Sequence, residues 1–183
     1  MKVILVFVSS LDGKVTKWGR SKVSAWSSPE DGAYFLKIRN ESALIVMGSQ
    51  TFEAELNQNT FHPNKGQKVV VMTKRVHEFQ NDHHQDITSG HLEFTDLSPQ
   101  DLHKQFLEAG SSTLFLLGGP HIATSFFKAA LIDEVWLTIE PKVFGLGNNF
   151  AMEERLDIDL RLTSLEKVND RGTLLTKYEV IKN

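Results

Sequence analysis

The chain contains no cysteine, which removes disulfides, thiolate catalysis and cysteine-bound zinc together. A cysteine-free sequence suits either redox compartment, so this absence leaves location open. Also missing is any run of about eighteen apolar residues, the length a membrane-crossing helix needs. The opening segment Met1-Lys2-Val3-Ile4-Leu5-Val6-Phe7-Val8 is apolar but short. Leu11-Asp12-Gly13-Lys14 follows it without the small-residue cleavage pattern of a secretory signal. The expectation is a buried first strand in a cytoplasmic protein. There is little excess charge: Lys+Arg 20 against Asp+Glu 23 leave a formal net charge of -3. No broad basic field exists for nucleic acid or an anionic membrane, so the expected partner is a small molecule. The G-x-G-x-x-G fingerprint is absent too, since Gly145-Leu-Gly147 follows a strand pattern but opens no helix. His77, His83, His84, His91 and Asp86 match no compact ligand spacing, and no metal site is expected.

What is present suits one α/β domain over residues 1–183, long enough to bury roughly 70% of its unfolded surface. Short β-branched runs alternate with amphipathic ones, the pattern of a sheet covered by helices. Strands are expected at 3–9, 43–47, 68–73, 92–94, 113–117, 134–140, 160–168 and 173–181. Helices are expected at 29–40, from Thr51, at 98–109 and at 122–130. After Pro141 two strand patterns flank the turn Asn169-Asp-Arg-Gly172, which predicts a C-terminal antiparallel hairpin and therefore a mixed sheet. The polar stretch Gln80-Asn-Asp-His-His-Gln-Asp86 is the one expected flexible segment.

Three segments, each following a separate apolar strand, carry groups suited to an anion. Leu114-Phe-Leu-Leu-Gly-Gly-Pro-His-Ile122 runs a strand into Gly118-Gly119 and then a helix, where free N–H groups and the helix dipole favour phosphate. Val46-Met-Gly-Ser-Gln-Thr-Phe52 sets a glycine, two hydroxyls and an amide at a helix start, with Thr51 either a cap or a ligand contact. Met72-Thr-Lys-Arg75 gathers a hydroxyl and two cations at a strand end. Each alone is equally an ordinary turn. Together they suit an extended diphosphate, because ligands of α/β sheets gather at the carboxyl ends of strands. Asp31, in Trp26-Ser-Ser-Pro-Glu-Asp31, precedes Phe35 and Leu36 on an expected apolar helix face, and either opposes a helix dipole or lies in an apolar pocket beside Trp26 and Phe35. In the second case it binds an N–H-rich heterocycle and serves proton transfer.

In this order the segments resemble the dihydrofolate reductase-like superfamily, and within it the reductase domain of the riboflavin-biosynthesis branch. Ser10-Leu-Asp-Gly-Lys14 is similar to that branch's S-L-D-G-K/R loop, and Val46–Glu53 to the folate enzymes' M-G-R-x-T-W/F-E. Trp26-x-x-Pro-x-Asp31 resembles W-x-x-P-x-D, whose aspartate contacts the pterin. Leu117-Gly-Gly-Pro120, Leu131-Ile-Asp-Glu-Val-Trp-Leu-Thr138 and Gly145-Leu-Gly147 resemble elements of both branches. The resemblance implies a three-layer α/β/α fold with a mixed, mostly parallel sheet. It implies NADPH held by Gly48, Ser49, Gln50 and Thr51, by Thr73, Lys74 and Arg75 at the 2′-phosphate, and by Gly118, Gly119, Pro120, His121 and Ile122. Asp31 would be catalytic, with Val8, Asp12, Trp26, Phe35 and Thr138 bordering the substrate. The implied activity is NADPH-dependent hydride transfer to a small pteridine or pyrimidine, in a homodimer. The rival is a non-catalytic module that binds a dinucleotide or pterin on the same fold.

Three positions depart from the family patterns. Gln67 follows Gly66 where the folate enzymes carry an arginine for the substrate's glutamate carboxylate. Phe52-Glu-Ala-Glu-Leu-Asn-Gln-Asn59 replaces the riboflavin branch's D-x-P-x-L-x-x-R, and Ser49 replaces a phosphate-binding arginine. With no cysteine, the H-x-E and P-C-x-x-C signature of a fused zinc deaminase is also absent.

Overall fold

The computed structural model describes residues 1–18, 22–83, 89–152 and 154–182. Its strands are β1 (Lys2–Ser10), β2 (Leu44–Gly48), β3 (Lys68–Met72), β4 (Leu92–Thr95), β5 (Thr113–Leu116), β6 (Glu134–Glu140), β7 (Leu160–Lys167) and β8 (Leu174–Val180). The helices are α1 (Pro29–Glu41), α2 (Ser49–Asn57), α3 (Val76–Asp82), α4 (Pro99–Glu108) and α5 (Pro120–Lys128). One sheet runs in the order β4-β3-β2-β5-β1-β6-β8-β7. The first six of these are mutually parallel, and β8 then runs antiparallel to both β6 and β7.

The central strands are almost wholly apolar because both faces of the sheet are covered. Side chains alternate across β1, so Val3 and Leu5 face one way and Ile4 and Val6 the other. The first face packs on Leu102 and Phe106 of α4 and on Ala123, Phe126 and Phe127 of α5. The second packs on Ile38 of α1, Phe52 of α2 and Phe79 of α3. These are the three layers expected. Ser28 caps α1 by accepting a hydrogen bond from the Asp31 amide at 3.2 Å, and Pro29 occupies the first turn, where its missing N–H costs nothing. In the hairpin turn the Asn169 side-chain oxygen accepts from the Gly172 and Thr173 amides, both at 3.1 Å.

Four local expectations change. α3 was not expected: its sequence is polar, and it is anchored by buried Phe79, stacked 5.2 Å from Phe94. It absorbs Gln80–Asp82 of the stretch read as flexible, while residues 84–86 lie outside the described residues. α2 starts at Ser49 and is capped by Gly48, so Thr51 sits within the first turn and is not the cap. α5 starts at Pro120, two residues early, because proline is already shaped for the first helical position. Leu36 does not share the apolar face with Phe35: Phe35 packs on the second core cluster, whereas Leu36 is 56% exposed. Consecutive helical residues point about 100° apart. Among the described residues no helix is long and apolar enough to cross a membrane.

Candidate active site

The carboxyl ends of β2, β3, β4 and β5 open onto a cleft of about 370 Å³. Gly48, Ser49, Gln50 and Thr51 line it from the start of α2, and Gly119, Pro120, His121 and Ile122 from the start of α5. Both helices have glycine at the cap, so no side chain caps their first N–H groups, which in α5 begin with His121 because Pro120 has none. The two loops lie against each other, the Gly48 amide donating to the Gly118 carbonyl at 3.4 Å. A Cβ on Gly48 would come within 3.0 Å of Ile122 Cγ1, so the two loops approach closely enough that a larger residue would push on the Ile122 side chain. Gly118 has φ +77, the left-handed region that glycine enters freely, and its peptide bond to Gly119 is cis.

Thr73 and Lys74 line the same cleft from the end of β3. Lys74 is exposed and forms no ion pair among the described residues. Arg75, grouped with them on sequence grounds, is not among the lining residues. Its guanidinium donates to Glu53 at 2.8 Å and Glu78 at 3.1 Å and lies 4.8 Å from the Phe79 ring centre. Sequence reasoning missed Thr95, Asp96, Leu97 and Pro99, which complete the wall from the end of β4. Their signal was available: they follow an apolar strand at its carboxyl end, like the other three segments.

β1 joins this cleft to a second group of residues. A Cβ on Gly118 would lie 3.4 Å from the Phe7 ring, and the next residue, Val8, is level with Thr138 of β6. Thr138 is 2% exposed and lies near enough to Asp31, itself 5% exposed at the start of α1, to act on its titration. Burial pushes the Asp31 carboxyl above the ordinary aspartate range. Hydrogen bonds from Thr138 and Ser27 pull it back, and the nearby Glu140 carboxyl pushes it further up. Phe35 lies one helical turn after Asp31, on the same side of α1. Trp26 is buried edge-on against Phe144, ring centres 5.1 Å apart, and its indole N–H has no hydrogen-bond partner among the described residues. Its carbonyl accepts from Lys142 Nζ.

Asp12 has a different occupation. Its carboxylate accepts from the Ser10 hydroxyl at 2.6 Å, the Gly145 amide at 2.8 Å and the Phe144 amide at 3.1 Å. The Ser10 hydrogen bond, then those amides, hold it down at about 2 against the opposing effect of desolvation. Backbone bonds Leu11 N–Lys142 O, Val15 N–Asn148 O and Trp18 N–Leu146 O continue this junction, so the segments after β1 and β6 are zipped together. Gly147 permits the contact: a Cβ there would fall 2.0 Å from the Thr16 carbonyl oxygen. His83, from the histidine group, packs edge-on against Phe52 at 5.1 Å, and His84 and Asp86 lie outside the described residues.

Comparison with known proteins supplies a family. The family model of the RibD C-terminal domain matches residues 1–174. The uncharacterised protein YwjB of Bacillus subtilis (strain 168) is 26% identical over 163 residues, covering 88% of each chain. Among solved structures, a Shewanella sp. PV-4 protein described as a candidate for riboflavin biosynthesis superposes with a TM-score of 0.79 at 21% identity, covering 100% of both chains. A pyrimidine reductase-like protein of Corynebacterium diphtheriae superposes with a TM-score of 0.77 at 16% identity, covering 100% of this chain and 92% of its own.

Proposed function

The chain belongs to the RibD C-terminal domain family, a reductase family, and from that premise we propose that it is an NADPH-dependent reductase of a small pyrimidine- or pteridine-type heterocycle. The observation that carries this reading is the adjacency of a glycine-walled, phosphate-suited cleft and a buried carboxyl, separated only by the end of β1. When bound, the nicotinamide supplies the hydride. The protein does the rest. The backbones of Gly48–Thr51 and Gly118–Ile122 receive the diphosphate, and the uncapped helix starts fit that charge. Thr73 and Lys74 receive the 2′-phosphate, with Lys74 the cation free to do so. Asp31 grips an N–H edge of the heterocycle and holds or returns a proton at its carboxyl, while Val8, Trp26 and Phe35 wall off water.

Two family departures narrow the substrate. Gln67 is 3% exposed, and its amide donates to the Arg39 and Ser42 carbonyls at 2.6 and 2.7 Å. It cannot reach out to a glutamate tail. Asn59 stands where the riboflavin-branch motif ends in arginine, and Glu55 in the same segment pairs with buried Arg39 at 2.7 Å, so residues 52–59 offer no cation to a sugar phosphate. Both support a substrate smaller than folate and lacking a ribosyl phosphate.

The test is titration with NADPH and NADH, followed by tryptophan quenching or heat of binding, and then NADPH oxidation against a panel of pyrimidines and pterins. NADPH bound more tightly than NADH, with turnover on one panel member, is expected. Binding without turnover on any member would return the protein to the non-catalytic module. No binding of either nucleotide would refute the cofactor assignment.

A further inference from the structure

Glu140 ends β6 with a charged side chain that is less than 2% exposed. Such burial is costly unless both oxygens are satisfied, and here they are. Oε1 accepts the Ser28 backbone N–H at 2.6 Å, and Oε2 accepts the Thr173 hydroxyl at 2.9 Å. Ser28 is the cap of α1, whose hydroxyl in turn holds the Asp31 amide. Thr173 immediately precedes β8 and also accepts from Asn169 at 3.0 Å, and Asn169 donates as well to Glu30 of α1 at 3.1 Å. The start of α1 is therefore tied at two points, one to the end of β6 and one to the β7–β8 turn. Thr138, which acts on the Asp31 carboxyl, lies two residues before Glu140 on the same face of β6.

Resting on the reductase reading above, we propose that Glu140 is the positioning residue for Asp31. It fixes the cap of α1 and so sets the Asp31 carboxyl against Thr138, where the heterocycle's N–H edge would meet it. A second effect follows from the same placement. Two carboxyl groups share one dry corner, so the negative field of Glu140 favours the acid form of Asp31, the form that can give a proton to a reduced ring nitrogen. Other charged or titratable groups around this corner have separate engagements. Glu30 bonds Asn169, Lys142 bonds the Trp26 carbonyl, Asp12 bonds the 144–145 amides, Arg171 lies by Glu30, and Tyr34 faces Glu166.

The experiment needs no substrate. Side-chain carboxyl 13C resonances of the full chain are titrated, with Asp31→Asn identifying the Asp31 signal, and backbone amide exchange is followed in parallel. In Glu140→Gln the amide oxygen still accepts from Ser28 and the amide nitrogen faces Thr173, so the cap persists while the charge is gone. The Asp31 midpoint should fall by about half a pH unit or more, the size expected when a close like charge is removed. In Thr173→Val the charge stays but loses one anchor, and the Ser28 amide should exchange about tenfold faster while exchange in β3 is unchanged. An Asp31 midpoint unmoved in Glu140→Gln, or Ser28 exchange unmoved in Thr173→Val, overturns the proposal. If Glu140→Gln does not fold, the Thr173→Val arm decides. NADPH affinity of the parent protein, measured separately, tells whether the reductase reading fails instead.

Discussion

Lys74 and Arg75 are neighbours in sequence with unequal prospects, and Lys74→Ala should separate them. Two unit charges at 4 Å interact by about 1 kcal/mol in water and about 4 kcal/mol at an effective dielectric of 20. Lys74 is exposed, which puts it near the lower figure, but a 2′-phosphate carries close to two charges at neutral pH. The product is about 2 kcal/mol, or roughly a 30-fold loss of NADPH affinity. NADH lacks that phosphate and should bind Lys74→Ala almost as it binds the parent, so the preference collapses by the same factor. Arg75→Ala should lose no more than about threefold, because its guanidinium is already matched by Glu53 and Glu78. Calorimetric titration of both variants with both nucleotides, at low and high salt, makes the comparison. Screening should shrink the Lys74 effect, since the contact is exposed. An unchanged preference in Lys74→Ala, or a larger loss in Arg75→Ala, would refute the assignment of the free cation.

Asp31→Asn should abolish or greatly slow turnover yet raise the melting temperature at neutral pH. The folded-state titration of Asp31 is raised, so its stabilising form is complete below the ordinary aspartate range and is lost as pH climbs through the folded value. The gain should therefore vanish near pH 3 in melting curves. Asp12→Asn should behave oppositely. A carboxyl held at about 2 stabilises the fold above about pH 4 and loses that contribution as pH falls toward 2, so the variant is weaker at neutral pH and flatter in acid. Gly147→Ala sets a Cβ 2.0 Å from a carbonyl oxygen at φ +150 and should cost about 2 kcal/mol or more in urea unfolding. For the implied homodimer we propose the outer strand β7, exposed along its length and carrying the exposed Leu160, Leu162 and Leu165; Leu162→Lys should halve the mass measured by light scattering. Equal masses for variant and parent would remove that face.

The sheet was legible because its parallel strands are short apolar runs, too brief for helices and bounded by turn residues. α3 was not, because a polar seven-residue helix held by Phe79 and, less deeply, Val76 carries no period to read. The glycine-walled half of the cleft was legible from strand ends followed by glycine, while Thr95–Leu97 lacks that glycine mark and was passed over. Arg75 was grouped with the cofactor contacts because its engagement with Glu53 joins residues 22 apart. Glu140 left no local trace at all, since its two partners lie 112 and 33 residues away. Chemistry made by one segment shows in sequence; chemistry made by the meeting of segments does not.

The junction between the loops after β1 and β6 bears on how this protein could be re-engineered. Asp12, Gly147 and three backbone bonds make residues 11–18 and 142–149 a single mechanical piece, and Leu11, Trp18, Val143 and Leu146 crown it, each more than 60% exposed. A chimera that imports one of these loops from a relative would bring half of a matched pair. The unit of exchange is the pair, so variation in either loop should be inherited with the other.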